Sequence, residues 1–152
     1  MINLSSSILI HRPAATIFNF ITVPANDFEW QYGTLGSSPT SAVPPGLGAT
    51  FQTIGHLMGR RTQGTYEVTQ YEASRRYGFR SLSGPLHLDT MFTLETGTGR
   101  TRVTVTTQAA SGTSPQHSDR QMQRHMSRQL REDLALLKQV LEARAGASRP
   151  PI

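Results

Sequence analysis

The C-terminal part of the chain carries one long stripe of apolar residues at helical spacing. Its members recur at steps of three or four residues: Met122, Met126, Leu130, Leu134, Leu137 and Leu141. At 100° per residue they fall within a sector about 120° wide, which predicts an amphipathic helix from Ser114 to Ala145. A stripe of this length needs a large apolar partner. Because methionine is more adaptable than leucine, we predict a cavity under the N-terminal half of this helix.

The residues at both ends of this segment fit a helix of that extent. Ser114 can cap the first turn, Pro115 suits the first helical position, and Gly146 follows the last turn. Residues 147–152 are predicted to form a disordered tail. The sequence therefore predicts one domain over residues 1–146.

Most of the remaining chain alternates apolar and polar residues between Gly- and Pro-rich turns, which is typical of strands. Strands are predicted at Asn3–His11, Thr34–Thr40, Ala49–Leu57, Thr62–Glu72, Arg76–Ser81, Leu86–Leu94 and Arg102–Ala109. Two short helices, Ala14–Ile21 and Pro24–Trp30, follow the first strand. Short turns join antiparallel strands. We therefore predict an α+β fold, in which a curved antiparallel sheet of about six or seven strands wraps around the long C-terminal helix.

Composition and charge narrow the function classes. The chain has 152 residues, a formal net charge of +5 and no cysteine, so disulfide and thiol chemistry are excluded. No signal-peptide pattern and no apolar run of membrane-spanning length is present, which favours a cytoplasmic protein. Four arginines share one face of the predicted helix: Arg120, Arg124, Arg128 and Arg131. This face is either ordinary solvated surface or a contact surface, and without interleaved aromatic residues we expect no nucleic acid partner.

Few residues point to a particular reaction. None of the five histidines pairs at the spacing of metal ligands, so we expect neither a metal nor a cofactor. The strand carboxylates Glu67, Asp89 and Glu95 alternate with inward residues, so we predict no acid pair inside the cavity. The candidate catalytic residues are Tyr66, Tyr77 and His56. The tyrosines are alternatively core residues, and the histidine is alternatively a solvent-facing side chain.

The predicted ligand pocket combines aromatic residues, inward threonines and the apolar face of the helix. Its members are Trp30, Tyr32, Phe51, Tyr66, Tyr77, Phe79, Thr90, Phe92, Thr107, Met122, Met126 and Leu130. Trp30 and Tyr32 either cap a bound ring or form a simple lid over the core. Arg60 and Arg61 either meet a ligand carboxylate at the rim or lie at a solvated hairpin end.

The order of these elements resembles the SRPBCC superfamily, also called START-like or helix-grip proteins. The stretches that carry the likeness are Ile8–Phe18, Val23–Asn26, Gly46–Phe51, Tyr66–Arg80, Gly99–Thr104 and Leu134–Glu142. Within the superfamily the chain is most similar to bacterial polyketide cyclase/dehydrase-like proteins. The resemblance implies a helix-grip fold and a cavity that binds a small hydrophobic, aromatic or polyketide-like ligand, including lipid. If the protein is an enzyme, cyclisation or dehydration is implied.

Other functions remain open beside this one. The fold also occurs in carriers or sensors that bind a ligand without turnover. It further occurs in interaction modules that assist chaperones or associate with ribosomes. We expect the protein to be a monomer or a homodimer.

Overall fold

The computed structural model describes residues 1–42, 44–110 and 117–147, and these form a single antiparallel sheet with one long helix. The strands are β1 (Ile2–Ile10), β2 (Thr34–Pro39), β3 (Thr50–Leu57), β4 (Arg60–Glu72), β5 (Arg76–Ser83), β6 (Leu88–Gly97) and β7 (Arg100–Ala109). Their order across the sheet is β1-β7-β6-β5-β4-β3-β2. The helices are α1 (Ala14–Ile21), a 3₁₀-helix (Pro24–Glu29) and α2 (Asp119–Ala147). The predicted α+β helix-grip architecture is confirmed.

One irregularity in β4 changes which side chains face the core. Val68 pairs with Phe79 and Gln70 pairs with Gly78, so Thr69 is an extra residue in the ladder. A bulge of this kind shifts the alternation of the strand by one residue. Beyond it, the Tyr71 ring packs edge-on against Phe18, with 5.1 Å between the ring centroids. The bulge therefore lets β4 contribute to the core under α1.

Helix α2 begins at Asp119, five residues after the predicted start, and its cap is Ser118. The Ser118 hydroxyl accepts the N–H of Gln121 at 3.2 Å, and the Gln121 side chain accepts the N–H of Ser118 at 2.9 Å. This reciprocal pair is a capping box, which satisfies two backbone donors at once. The predicted cap Ser114 and Pro115 lie outside the described residues. Ser118 carries the stronger capping signal in the sequence, because a glutamine, Gln121, follows it three residues later.

The C-terminal half of α2 is fastened to the beginning of the chain. Lys138 Nζ donates to the Leu9 carbonyl at 2.8 Å, and Glu142 accepts the N–H of His11 at 3.0 Å. The helix continues through Gly146 to Ala147, so the predicted end at Ala145 is two residues short. Residues 148–152, which the sequence assigns to a disordered tail, lie outside the described residues.

Two apolar clusters lie between the sheet and the helices. The larger cluster contains α1, the C-terminal half of α2 and the middle of the sheet, with Phe18, Val103 and Leu137 among its most buried members. The smaller cluster joins Ile2, Leu4, Ala109, Met122 and Met126. Leu130 packs against both clusters. The leucine-rich half of α2 therefore packs in one cluster and its methionine-rich half in another.

Gly55→Ala is expected to destabilise the protein because β2 and β3 approach closely at this point. A Cβ on Gly55 would overlap the carbonyl oxygen of Gly33, which accepts the N–H of His56 at 2.7 Å. Relieving the overlap should cost about 1–3 kcal/mol of unfolding free energy, measured by denaturant titration. Gly36→Ala is the matched control, because nothing lies within 4 Å of its Cβ position. Equal losses in the two variants would contradict the close approach.

Candidate functional site

A cavity of about 210 Å³ lies between the sheet and the N-terminal half of α2. Members of both apolar clusters line it, including Phe92 and Leu134 from the larger and Leu4 and Met126 from the smaller. Pockets for drug-sized ligands typically have about 300–1,000 Å³. This cavity is therefore smaller than the resemblance suggests and fits a compact molecule.

Aromatic rings from neighbouring strands form the sheet wall of the cavity. Phe51 stacks on Tyr66 with 5.3 Å between ring centroids, and Phe79 meets both rings edge-on at 5.4 and 5.6 Å. Tyr77 stacks on Phe92 at 6.4 Å. Offset and edge-to-face pairs of this kind hold each ring in one orientation. The wall therefore presents a fixed apolar surface that suits a flat ligand.

Helix α2 and the segment after α1 close the other sides. Met126, Gln129, Leu130, Asp133 and Leu134 line the cavity from α2. Asp27 and Trp30 line it from the 3₁₀-helix and its C-terminal cap. The Trp30 ring meets Phe92 edge-on at 5.9 Å, so this segment joins the aromatic wall.

Ten of the twelve residues predicted to line a ligand pocket line this cavity, and two do not. The Tyr32 side chain is 65% exposed, and Met122 is buried in the smaller cluster. Thr90 and Thr107 face the cavity and share a hydrogen bond of 3.1 Å between their hydroxyls. Of the other candidates, His56 is exposed yet borders the cavity, whereas Arg60 and Arg61 are exposed on β4 and do not line it.

Two carboxyl groups line the cavity, contrary to the sequence prediction that it holds no acid pair. Asp27 is 7% exposed and Asp133 is 8% exposed. Asp133 Oδ1 accepts the backbone N–H of Tyr32 at 3.0 Å. The sequence analysis singled out neither Asp27 nor Asp133. With Met122 at 0°, Asp133 falls at about 20° on the helical wheel, inside the apolar stripe, and this signal identifies it.

Burial changes the proton affinity of both carboxyl groups. Desolvation raises the pKa of Asp27 to about 7, although a hydrogen bond from Ser37 opposes the shift. Desolvation likewise raises the pKa of Asp133 to about 7, opposed by the hydrogen bond from Tyr32 and supported by the charge of Glu132. Groups with a pKa near neutrality exchange protons readily at physiological pH. The pair can therefore act as proton donors or acceptors inside the cavity.

The two candidate tyrosines are hydrogen-bond donors rather than bases. Burial raises the pKa of the Tyr66 phenol above its ordinary value. The pKa of the Tyr77 phenol is also raised, mainly by burial and to a smaller extent by the charge of Asp27 and by the Tyr71 phenol. Both phenols therefore stay protonated at neutral pH. Asp27 and Asp133 are therefore better candidates than these phenols for moving a proton near neutral pH.

The described part of the chain gives less support to a metal site, a membrane-spanning helix or a role of the helix arginines in the cavity. No three His, Cys, Asp or Glu side chains within residues 1–42, 44–110 and 117–147 come together as a metal site. Neither α-helix of these residues combines the length and hydrophobicity that crossing a membrane requires. Arg120, Arg124, Arg128 and Arg131 are exposed, and none of them lines the cavity.

Solved structures with the same fold come from several bacteria. The Zhui aromatase/cyclase from Streptomyces sp. R1128 superposes with a TM-score of 0.79 at 15% identity, covering 94% of each chain. A START superfamily protein from Mycobacterium smegmatis gives 0.78 at 12% identity, covering 94% of this chain and 99% of its own. The di-domain ARO/CYC BexL from the BE-7585A biosynthetic pathway gives 0.75 at 18% identity and 93% coverage of this chain. This chain spans 47% of the di-domain protein, about half of its length.

The sequence itself matches one protein family. None of the curated proteins matches the chain. A sequence model of the family described as "Polyketide cyclase / dehydrase and lipid transport" matches residues 1–142, which is nearly the whole chain. Together with the START-like fold of its structural neighbours, this match confirms the resemblance to the SRPBCC superfamily. The chain therefore belongs to the polyketide cyclase/dehydrase and lipid transport family.

Proposed function

We propose that the protein binds a small, flat, hydrophobic molecule of aromatic or polyketide-like structure in the cavity under α2. The observation that carries this proposal is the apolar cavity itself, with its wall of five mutually packed rings: Phe51, Tyr66, Tyr77, Phe79 and Phe92. A cavity of about 210 Å³ favours a compact ligand of one or two rings over an extended chain. The family description and the aromatase/cyclase neighbours support the same ligand class.

A catalytic role is the second candidate, and the two cavity carboxyl groups favour it. Confinement holds a flexible substrate in a reactive conformation, which lowers the entropic part of the barrier. Asp27 or Asp133, each with a pKa of about 7, then moves the proton that cyclisation or dehydration requires. A carrier or sensor would use the same cavity without changing the ligand. Mass spectrometry of the recovered ligand detects dehydration as the loss of one water, and its chromatographic retention detects cyclisation at unchanged mass, so the two measurements together separate these roles.

Filling the cavity from the helix side should weaken ligand binding. Leu130 lines the cavity and packs against both apolar clusters. In Leu130→Trp the larger ring should occupy ligand space and weaken binding of naphthalene-sized compounds by about tenfold or more. Isothermal titration calorimetry measures the affinity directly.

The matched control for this experiment is Leu136→Trp. Leu136 lies on the same helix and packs partly buried against the larger cluster, but it does not line the cavity. Its affinity should stay within about twofold of the original protein. If both variants bind as the original protein does, the ligand does not occupy the cavity and the proposed function is wrong.

A further inference from the structure

The described lining of the cavity contains acidic side chains but neither lysine nor arginine. Among the described residues that line it, Asp27 and Asp133 are acidic and none is lysine or arginine. The other titratable side chains facing the cavity are His56 at its exposed border and the protonated phenols of Tyr66 and Tyr77. Interactions between charges are strong where water is excluded. A ligand carboxylate in this cavity would therefore meet repulsion and no arginine or lysine counter-ion.

Both carboxyl groups contact the same short stretch of chain, residues 27–32, because Asp27 belongs to it and Asp133 hydrogen-bonds to it. Asp27 and Trp30 are three residues apart at the 3₁₀-helix, a spacing that brings side chains onto one side. The backbone N–H of Trp30 donates a hydrogen bond to the backbone carbonyl oxygen of Asp27 at 3.2 Å. Asp133 reaches the stretch from α2 through its 3.0 Å hydrogen bond with the Tyr32 N–H. These contacts connect both acidic residues to the segment around Trp30, in a cavity whose lining also includes threonine and glutamine side chains.

An independent observation at the same end points to a ligand atom. Trp30 lines the cavity and is 3% exposed, and its indole Nε1–H has no hydrogen-bond partner among the described residues. A buried donor without a partner is costly, and most such donors in folded proteins are satisfied. A small shift of the Trp30 ring toward the cavity would bring this donor to a ligand oxygen, which would supply the missing acceptor.

The chemistry of these three groups distinguishes between ligand classes. A hydroxyl group donates a hydrogen bond to a carboxylate and also accepts one from an indole N–H. An ammonium group donates but cannot accept, and a carboxylate accepts but is repelled by Asp27 and Asp133. Of these three groups, only the hydroxyl satisfies both kinds of partner.

We propose, on the basis of the function proposed above, that the cavity selects uncharged hydroxylated ring compounds and excludes carboxylates. Asp27 and Asp133 make the selection against anions, and Trp30 Nε1 binds the ligand oxygen. Free fatty acids are therefore excluded from the ligands of this protein, whereas phenols and hydroxylated ring compounds are accepted.

Three ligands of equal ring size test the selection: naphthol, methylnaphthalene and naphthoate, all substituted at the same ring carbon. At about pH 8 both Asp carboxyls are mostly ionised, because each has a pKa of about 7. Calorimetry should find naphthol the tightest ligand and naphthoate about tenfold or more weaker. The chain has one tryptophan, so its single indole N–H resonance reports on Trp30 alone. Naphthol should move this resonance downfield, whereas methylnaphthalene should not.

Neutral variants test which residues exclude the anion. Asp27→Asn and Asp133→Asn keep the side-chain shape, and an asparagine oxygen at position 133 still accepts the Tyr32 N–H. Each should tighten naphthoate binding by about tenfold relative to methylnaphthalene binding. Asp89→Asn is the matched control, because it removes the same charge from an exposed site on β6 outside this cavity.

The outcomes separate this proposal from the function on which it rests. If naphthoate binds the original protein as tightly as naphthol, charge selection is wrong although the cavity still binds ligands. If naphthol binds without moving the indole resonance downfield, the role of Trp30 is wrong. If none of the three compounds binds, the proposed function fails and this inference fails with it.

Discussion

Asp27→Asn is expected to make the protein more stable at about pH 8, although it alters a buried polar residue. The pKa of Asp27 is raised from 3.8 to about 7 on folding. The folded protein therefore binds this proton more tightly than the unfolded chain does. As the pH rises from about 4 to 7, folding must take up a proton from an increasingly dilute supply, and above about pH 7 it must bury the charge instead, so stability falls by up to about 4 kcal/mol. Asparagine carries no charge and escapes this loss.

The net gain should be smaller than the full loss, because the amide must also be buried and hydrogen-bonded. We expect about 1–3 kcal/mol of additional unfolding free energy at about pH 8, and no gain at about pH 4. Asp133→Asn should behave in the same way, since burial raises the pKa of Asp133 to about 7 as well. Denaturant titrations at several pH values measure the effect. A variant that is less stable than the original protein at about pH 8 would show that the ionised carboxylate is favourable where it lies.

Asp89→Asn serves as the control for the change in net charge. Asp89 is exposed on β6, and its substitution should change stability by less than about 0.5 kcal/mol at either pH. A gain in Asp27→Asn but not in Asp89→Asn would assign the effect to burial. Groups that reduce stability while lining a cavity are typical of functional sites, where the chemistry requires them.

The sequence predicts the fold well because two simple periodicities define nearly every element. Helix α1 has the predicted bounds, Ala14–Ile21, since Pro13 precedes it and Val23-Pro24 follows it. The order of β2 to β7 follows from antiparallel connections between consecutive strands, whereas the pairing of β1 with β7 does not. The errors lie where a local contact overrides the pattern. One is the extra residue Thr69 in β4, and another is the start of α2, where Gln121 completes the cap of Ser118.

The site is only partly predictable, and the missing part is its polar end. The aromatic wall follows from strand alternation, which turns Tyr66, Tyr77 and Phe79 to one face. Asp133 was predictable from the helical wheel, where it falls inside the apolar stripe, but the sequence analysis did not place it in the pocket. The inward position of Asp27 was not predictable, because it depends on the type of helix. In a 3₁₀-helix, with 3.0 residues per turn, Asp27 lies on the same side as Trp30, whereas in an α-helix, with 3.6 residues per turn, the two side chains are offset. The burial of Asp27 depends on contacts with β2 that the sequence does not specify.

Leu137→Ala is expected to destabilise the protein far more than Met126→Ala, although both residues belong to the same helical stripe. Leu137 is fully buried in the larger apolar cluster, so the variant loses contacts on all sides and leaves a new void. Its unfolding free energy should fall by about 3–5 kcal/mol. Met126 borders the existing cavity, so its side chain has fewer contacts to lose. The loss there should be about 1–2 kcal/mol, and denaturant titrations compare the two variants.

The comparison tests whether the two halves of α2 have different roles. Met126→Ala should enlarge the cavity and strengthen binding of compounds bulkier than naphthalene, whereas Leu137→Ala should leave the preference for ligand size unchanged. Equal losses of stability would instead indicate that the methionine end packs as tightly as the leucine end. In that case Met126 would make as many packing contacts as Leu137 despite the cavity beside it. Methionine at the border of the cavity would then have no advantage over leucine.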